Sequence, residues 1–323
     1  MTINALQQSS SQANDNARAI MINVDDLGLS GAVNDAVLHL AECGRIGASS
    51  YMVGGTITDS EIKTLTALNV DIGLHLDLTG IFPSTLRGSL KSIIVASYLR
   101  KLSPEQVNDV IKQQLDAFED CFGRVPVFID GHQHIHQFPV IRQHLVKEIS
   151  KRYGKDAPTS INARVTTPLV HDIKSWIIYA LGGKAWRELC EDHHIATNAR
   201  FGGVYGFDAN SQELSRLWET WLQKAPRTTG LRSSLYTQIS DTEAPSTHDR
   251  HETSTNSTSR PLTSALSSTL IMCHPAVPND GWQDDIKQAR ELEYQWLMSD
   301  QFGQLLQKHE IRLVRWSDII API

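Results

Sequence analysis

The stretch AIMINVDDLGLS, residues 19–30, decides the fold class. Its first part, AIMINV, is short and apolar except for Asn23, which is typical of a strand buried on both faces of a parallel sheet. Apolar residues at helical spacing follow from Val33 to Cys43. A buried strand that leads into an amphipathic helix is the repeating unit of α/β proteins, so the stretch predicts a parallel sheet covered by helices.

The same alternation continues along the chain. Further short apolar runs predict strands at SSYMVGG, VDIGLHLDL, VFIDGHQHI, TSINARV, TLIMCH and IRLVRW. Helical segments are predicted at about 60–68, 104–122, 139–153, 173–193, 212–223 and 283–298. Such a series fits a closed barrel or a doubly wound sheet. Because no G-x-G-x-x-G or G-x-x-x-x-G-K-[ST] motif follows a strand, we predict a TIM-like (β/α) barrel, of regular or irregular closure, with loop insertions.

One domain with irregular additions is expected. Residues 1–18 are polar and predict a disordered N-terminal tail, and residues 19–323 predict a single (β/α)-barrel domain. Gly80–Arg100 is expected to be a loop-rich insertion. Ser240–Ser264 contains twelve Ser or Thr among its 25 residues, a composition that cannot bury a core, and it predicts a flexible surface insertion.

Composition excludes several classes of partner. The formal net charge is −6 and no dense Lys/Arg run occurs, so a nucleic-acid partner is not expected. The longest apolar runs are far shorter than the roughly 20 residues of a membrane helix, and the N-terminus lacks the pattern of a secretory signal. A cytoplasmic protein is expected, and homo-oligomer formation is left open. Reduced, buried thiols are expected at the four scattered cysteines Cys43, Cys121, Cys190 and Cys273.

Acidic and imidazole side chains cluster where predicted strands end. They are Asp25 and Asp26 on the first strand, His75 and Asp77 on the third, the run DGHQHIHQFP from Asp130 to Pro139, and His274 on a late strand. In parallel α/β folds the carboxyl ends of the strands form the site. Singly, adjacent acids can cap a helix and a histidine can be a hydrogen-bonded core residue. Together they are the ligand types of a catalytic divalent metal.

Two adjacent acids suit such a metal site. A divalent ion lowers the pKa of water from 15.7 toward roughly 7 and polarises a carbonyl oxygen. One carboxylate can hold the ion while its neighbour accepts the proton of the water, and a histidine can protonate the departing group near neutral pH. The pattern therefore favours hydrolysis of an amide or ester.

At these residues the sequence resembles the YdjC-like carbohydrate deacetylases, the ChbG/HpnK family. The motifs are NVDDLGLS, with Leu27 where Phe is usual, then GLHLDLTG, DGHQHIHQFP and MCHP, in the family's order between Ile20 and Trp316. The resemblance implies a TIM-like barrel that removes acetyl groups from N-acetylated amino sugars with one divalent metal ion. It implies metal ligands at Asp26, His75 and His132, a catalytic base at Asp25 and a catalytic acid at His274.

Three further side chains are candidates for contact with substrate. Spacing alone does not choose among His132, His134 and His136, because alternate residues of a continuing strand share a face. The resemblance selects His132 as the ligand and leaves His134 and His136 as its supports or as substrate contacts. Arg164, at another strand end, is expected to hold a substrate oxygen.

Two imidazoles favour zinc over magnesium by ligand softness, although metal availability often decides.

Other functions share parts of this pattern. His-x-His at a strand end also occurs in amidohydrolase-type barrels, which place it on the first strand. An iron oxygenase uses two histidines and a carboxylate, usually on a β-sandwich, which the βα alternation argues against. A non-catalytic metal- or sugar-binding protein is a third alternative. Asp25 separates it from an enzyme, because binding alone needs no proton acceptor beside the ligand.

Deletion of residues 240–264 should leave the melting temperature almost unchanged, because a segment this polar contributes little buried apolar surface. Calorimetry of the full and shortened chains checks this expectation. A loss of several degrees would show that the segment packs as an ordered element.

Overall fold

The structure, a computed structural model, describes residues 17–154, 161–227, 268–279 and 281–318. The strands are β1 Arg18–Leu27, β2 Ala48–Tyr51, β3 Asp71–Leu76, β4 Phe128–Gly131, β5 Asn162–Ala163, β6 Ala196–Thr197, β7 Arg200–Gly202, β8 Thr269–Cys273 and β9 Ile311–Leu313. The helices are α1 Gly31–Glu42, α2 Asp59–Ala67, α3 Leu90–Tyr98, α4 Pro104–Phe122, α5 Ile141–Tyr153, α6 Ile173–Ile178, α7 Lys184–Asp192, α8 Ser211–Lys224, α9 Lys287–Met298 and α10 Asp300–Lys308.

The strands form one parallel sheet. Their order is β6-β5-β4-β3-β2-β1-β8-β7, and β9 pairs with the start of β1. The sheet curls into a half-barrel with the helices around it, which confirms the predicted TIM-like α/β class. In this order β1 lies between β2 and β8, so the strand that carries the two acids is central.

Alternation along β1 divides its side chains between two apolar clusters. Ile20, Ile22 and Val24 belong to the larger cluster, which also contains the buried side chains of the helices. Ala19 and Met21 belong to a smaller one. We call the smaller one the inner cluster, and its other buried members are Ala48, Phe128, Phe201, Val204, Leu270, Met272, Val314 and Trp316. Because strand side chains alternate with a period of two, the inner cluster fills the concave side of the sheet.

The same period brings polar side chains to the carboxyl end of that concave side. On β1 the inward positions continue as Asn23 and Asp25, both buried. Asp130 and His274 each lie two residues beyond an inner-cluster member, Phe128 on β4 and the methionine of β8. The site is therefore built on top of the inner cluster.

The structure differs from the sequence prediction in several elements. The loop expected over Gly80–Arg100 contains helix α3, whose first turn is capped by Ser89. The single helix expected over Ile173–His193 is broken between α6 and α7, where Gly182 has φ 126° and a Cβ would lie 2.2 Å from the Gln137 carbonyl oxygen. Strands β6 and β7 are not among the predicted strands, because segments of only two and three residues are too short to show a recognisable period.

Two sequence expectations cannot be compared with the structure. The insertion at 240–264 and all but the last two residues of the 1–18 tail lie outside the described residues. None of the helices in the described part of the chain combines the length and the apolar character that crossing a membrane requires.

Replacing Trp316 with Ala should destabilise the fold by about 3–5 kcal/mol, the usual cost of deleting a large buried aromatic side chain. Trp316 is fully buried in the inner cluster and stacks on Phe128, with ring centroids 4.9 Å apart. Denaturant unfolding measures the change. Trp176→Ala is the control, because Trp176 is 46% exposed and its loss should have little effect.

Candidate functional site

Asp25 and Asp26 reach the same site because the strand geometry changes between them. Asp26 has φ 69°, in the left-handed region that short polar residues tolerate best. The turn is held by Leu29 N–H, which donates to the Asp26 carbonyl (3.0 Å), and by Gly28 N–H, which donates to Asn34 Oδ1 (2.8 Å). Gly28 has φ 92° and a Cβ there would lie 2.5 Å from an aromatic ring, so this position requires glycine.

Asp26, His75 and His132 form a compact ligand cluster. Asp26 Oδ1 lies 3.3 Å from His75 Nε2 and 3.0 Å from His132 Nδ1. The three ligand atoms lie within 4.8 Å of one another, close enough to hold a metal ion. Asp26 and His75 are buried, whereas the His132 side chain is 20% exposed and forms the open side of the cluster.

The chemistry of the cluster fits a divalent cation. The Asp130 carboxylate accepts a hydrogen bond from His75 Nδ1 (2.6 Å), the usual outer partner of a metal-binding histidine, and this leaves Nε2 directed at Asp26. Burial acts to lower the pKa of His75, but the Asp130 and Asp26 carboxylates outweigh it and raise the pKa to about 10. Positive charge is thus stabilised between these groups, as a proton or as a metal ion.

Arg164 holds the second acid outside the ligand cluster. Its Nη1 donates to Asp25 Oδ2 (2.7 Å) and its Nη2 to Asp25 Oδ1 (2.5 Å), and Nη2 also lies 2.5 Å from Asp130 Oδ2. Burial acts to raise the pKa of the Asp25 carboxyl, and the Arg164 guanidinium outweighs it and keeps that pKa below its usual value. Asp25 is therefore an ionised carboxylate at neutral pH, next to the ligand cluster.

His274 approaches the site from the end of β8. Its Nε2 lies 3.8 Å from Asp25 Oδ2, and its ring meets the edge of Phe207 with centroids 5.3 Å apart. Burial lowers the pKa of His274 to about 4, with a partial opposing effect of Asp25. The imidazole is therefore neutral near pH 7 and must first take up a proton in order to donate one to a leaving group.

The three histidines of the fourth strand do not share a strand face. Strand β4 ends at Gly131, and His132–Gln137 forms a tight helical turn in which Gln133 and His134 have φ 53° and 60°. The strand-face expectation is wrong because these left-handed residues send each imidazole in a different direction.

His134 and His136 consequently have different surroundings. The His134 ring packs edge-on against Phe201, 5.5 Å between centroids, and the side chain is partly exposed. His136 is fully buried, with Nε2 3.1 Å from the Arg164 carbonyl oxygen and its ring against Trp186. The geometry leaves His134 as a candidate for substrate contact and gives His136 a supporting position.

Arg164 also differs from its expected role. Its side chain is 0% exposed and its guanidinium is engaged by Asp25 and Asp130, so it does not reach a substrate oxygen. It lies beneath the site and orients the carboxylates. Asp77 is likewise structural, since it accepts hydrogen bonds from the backbone N–H groups of Thr79, Gly80 and Phe82.

Helix α9 supplies two site residues that the sequence analysis does not identify. Arg290 and Glu293 are each 2% exposed, and they contact Asp26 and the His274 backbone N–H, respectively. Burial raises the pKa of Glu293 to about 7. In the sequence, these two residues are recognisable only as charged residues at helical spacing with the apolar Ala289 and Leu297, which are buried.

The fold and the site together define an α/β half-barrel protein with an aspartate–histidine cluster at the carboxyl ends of its strands. Residues 19–308 match the family described as "YdjC-like protein". The chain belongs to this YdjC-like family.

Among solved structures, similarity is found to a protein of Enterococcus faecalis V583 described as a "putative cellobiose-phosphate cleavage protein". It is 16% identical, with a TM-score of 0.61, over 94% of this chain and 98% of that one, and the two share the fold. A structure described as "T48 deacetylase with substrate" is 11% identical, with a TM-score of 0.39, over 93% and 89% of the chains. The Xyl-CE4 domain of a xylanase from the hindgut metagenome of Trinervitermes trinervoides is 9% identical, with a TM-score of 0.38, over 94% and 89%.

Replacing His75 or His132 with Ala should abolish stoichiometric binding of a divalent metal, because each change removes one of the three predicted ligands. Elemental analysis and titration of the metal-stripped variants with Zn²⁺ measure the loss. His39→Ala, an exposed histidine on α1, is the control and should bind as the unaltered protein does. Full metal retention in both site variants would reject this ligand set.

Proposed function

We propose that this chain is a metal-dependent hydrolase that removes acetyl groups from N-acetylated amino sugars. One observation carries the proposal: two adjacent acids meet one site with different partners. Asp26 faces the imidazoles of His75 and His132, whereas Asp25 is held outside them by Arg164. A carboxylate kept ionised next to a ligand cluster is what proton abstraction requires and what simple metal binding does not.

Asp26, His75 and His132 would hold one divalent ion, zinc or magnesium, with zinc favoured by the two imidazole ligands. When bound, the ion supplies a Lewis acid that polarises the amide carbonyl and lowers the pKa of water. The partly exposed side of the cluster at His132 is the side from which substrate would approach.

Asp25 and His274 would move the protons. Asp25 accepts a proton from the attacking water, whose oxygen forms a bond to the acetyl carbon. The C–N bond then breaks, and the sugar nitrogen takes a proton from His274. Because His274 is neutral near pH 7 and its Nε2 lies 3.8 Å from Asp25 Oδ2, the proton accepted by Asp25 can be passed to His274 through one water or after a closer approach of the two side chains. At the end of each turnover, Asp25 is again ionised and His274 is again neutral.

The substrate class rests on membership of the YdjC-like family and its resemblance to carbohydrate deacetylases. Chitooligosaccharides, glycosylated lipid headgroups and small amino-sugar conjugates are the compounds to compare. We also propose a cytoplasmic location, supported by four cysteines that are all free thiols. Cys43 and Cys121 are exposed, so the expectation of buried thiols is wrong for these two.

Acetate release from a panel of N-acetylated sugars tests the proposal. Metal-stripped protein should be inactive, and Zn²⁺ or Mg²⁺ should restore release. Asp25→Asn keeps the shape of the side chain and separates an enzyme from a binding protein. Sugar binding without acetate release from any member of the panel would favour a non-catalytic protein. Hydrolysis of other amides alone would favour an amidohydrolase-type activity.

Asp25→Asn and His274→Ala should each lower kcat by roughly 10²–10⁴-fold, the usual contribution of one positioned base or acid. Both variants should still bind the metal, since neither residue belongs to the ligand cluster. His274→Ala should recover rate on activated aryl acetates, whose leaving group needs no proton. Equal losses on the amide and the aryl ester would assign His274 a structural or substrate-binding role instead.

A further inference from the structure

Helix α9 brings a guanidinium against the back of the ligand cluster. Arg290 lies on the buried stripe of this helix and is almost inaccessible to solvent. It is distant in sequence from Asp26, 264 positions away, and no motif of the strand ends includes it. The contact therefore has to be explained by what it does to Asp26.

The contacts of Arg290 fix it on several sides. Its Nη2 donates to Asp26 Oδ2 (2.7 Å), its Nε donates to Asp284, and its Nη1 lies 3.4 Å from the His274 carbonyl oxygen. Its guanidinium carbon lies 5.7 Å from the centre of the Trp282 ring. A guanidinium held in this way has little freedom to move, so the Asp26 oxygen that it binds is held as well.

The two oxygens of Asp26 consequently have separate partners. Oδ1 faces His75 Nε2 and His132 Nδ1, whereas Oδ2 is bound by Arg290. A carboxylate without such a partner can rotate, or can bind a metal through both oxygens. Arg290 removes both possibilities and supplies the charge that keeps the buried carboxylate ionised.

We infer that Arg290 is a positioning residue that restricts Asp26 to a single-oxygen ligand of the metal ion. The inference rests on the metal centre proposed above. It predicts that Arg290 strengthens metal binding although it is itself a cation. Fixing Asp26 in place favours metal binding more than the repulsion between the guanidinium and the metal ion opposes it. Removing an outer partner of a metal ligand typically weakens metal affinity 10–100-fold.

Titration of metal-stripped protein with Zn²⁺ tests the inference without reference to activity. Arg290→Met keeps much of the side-chain volume and removes the charge and the donors, and its dissociation constant should rise about 10–100-fold. Arg290→Lys should recover part of the loss, because one ammonium can still reach Oδ2. Asp284→Asn, which loosens Arg290 but leaves Asp26 unaltered, should give a smaller loss than Arg290→Met.

Leu297→Met is the matched control. It alters a fully buried residue of the same helix that belongs to the larger apolar cluster, and a swap of similar volume is tolerated in a core, so Zn²⁺ affinity should not change. The absorption spectrum of the Co²⁺-loaded protein adds a second readout. Arg290→Met should alter the spectrum because the guanidinium no longer holds Asp26 Oδ2, and Leu297→Met should not.

Equal Zn²⁺ binding by Arg290→Met would overturn the inference, and tighter binding would also show that the guanidinium opposes the ion. If that variant does not fold, unchanged affinity in both Arg290→Lys and Asp284→Asn would overturn it. Equal loss in Leu297→Met would overturn it as well, by assigning the effect to disturbance of α9 as a whole. If the unaltered protein binds no divalent ion, the proposed metal centre fails first, and the role of Arg290 fails with it.

Discussion

Adjacent carboxylates buried in one site need cations beside them, and this requirement organises the carboxyl end of the half-barrel. Asp25, Asp26 and Asp130 are exposed by 2% or less. An unpaired charge at such depth costs on the order of several kcal/mol. Arg164 lies against Asp25 and Asp130, and Arg290 lies against Asp26. The two arginines beneath the site are therefore required as counter-ions of the buried carboxylates, although the strand side chains further down are apolar.

These partners also make two chemically identical side chains different. Asp25 and Asp26 are neighbours in the chain, yet one is bound by a fork of two N–H groups and the other faces two imidazoles. The left-handed backbone at Asp26 makes this possible, because on a regular strand the two would face opposite sides. Local strain at the end of β1 is thus the condition for the division of roles that we propose.

The sequence locates the central strands and the strand-end acids and histidines because hydrophobic runs are local and parallel strands share an edge. It does not show that β4 stops at Gly131, since the left-handed residues that follow depend on how the loop packs. It also does not show where a long cationic side chain goes. Arg164 reads equally well as a substrate contact or a buried counter-ion, and Arg290 looks like any charge on an amphipathic helix. Only the burial of both residues separates these alternatives.

The distance in sequence between these charges has a consequence for synthesis of the protein. Asp25 and Asp26 leave the ribosome before their guanidinium partners, because Arg164 follows 139 residues after Asp25 and Arg290 comes 264 residues after Asp26. Until helix α9 has emerged, burial of β1 would leave Asp26 without its guanidinium. The end of β1 should therefore stay solvent-exposed in the nascent chain, and the half-barrel should be completed late. Slow folding of this kind is expected for long-range parallel strand pairing.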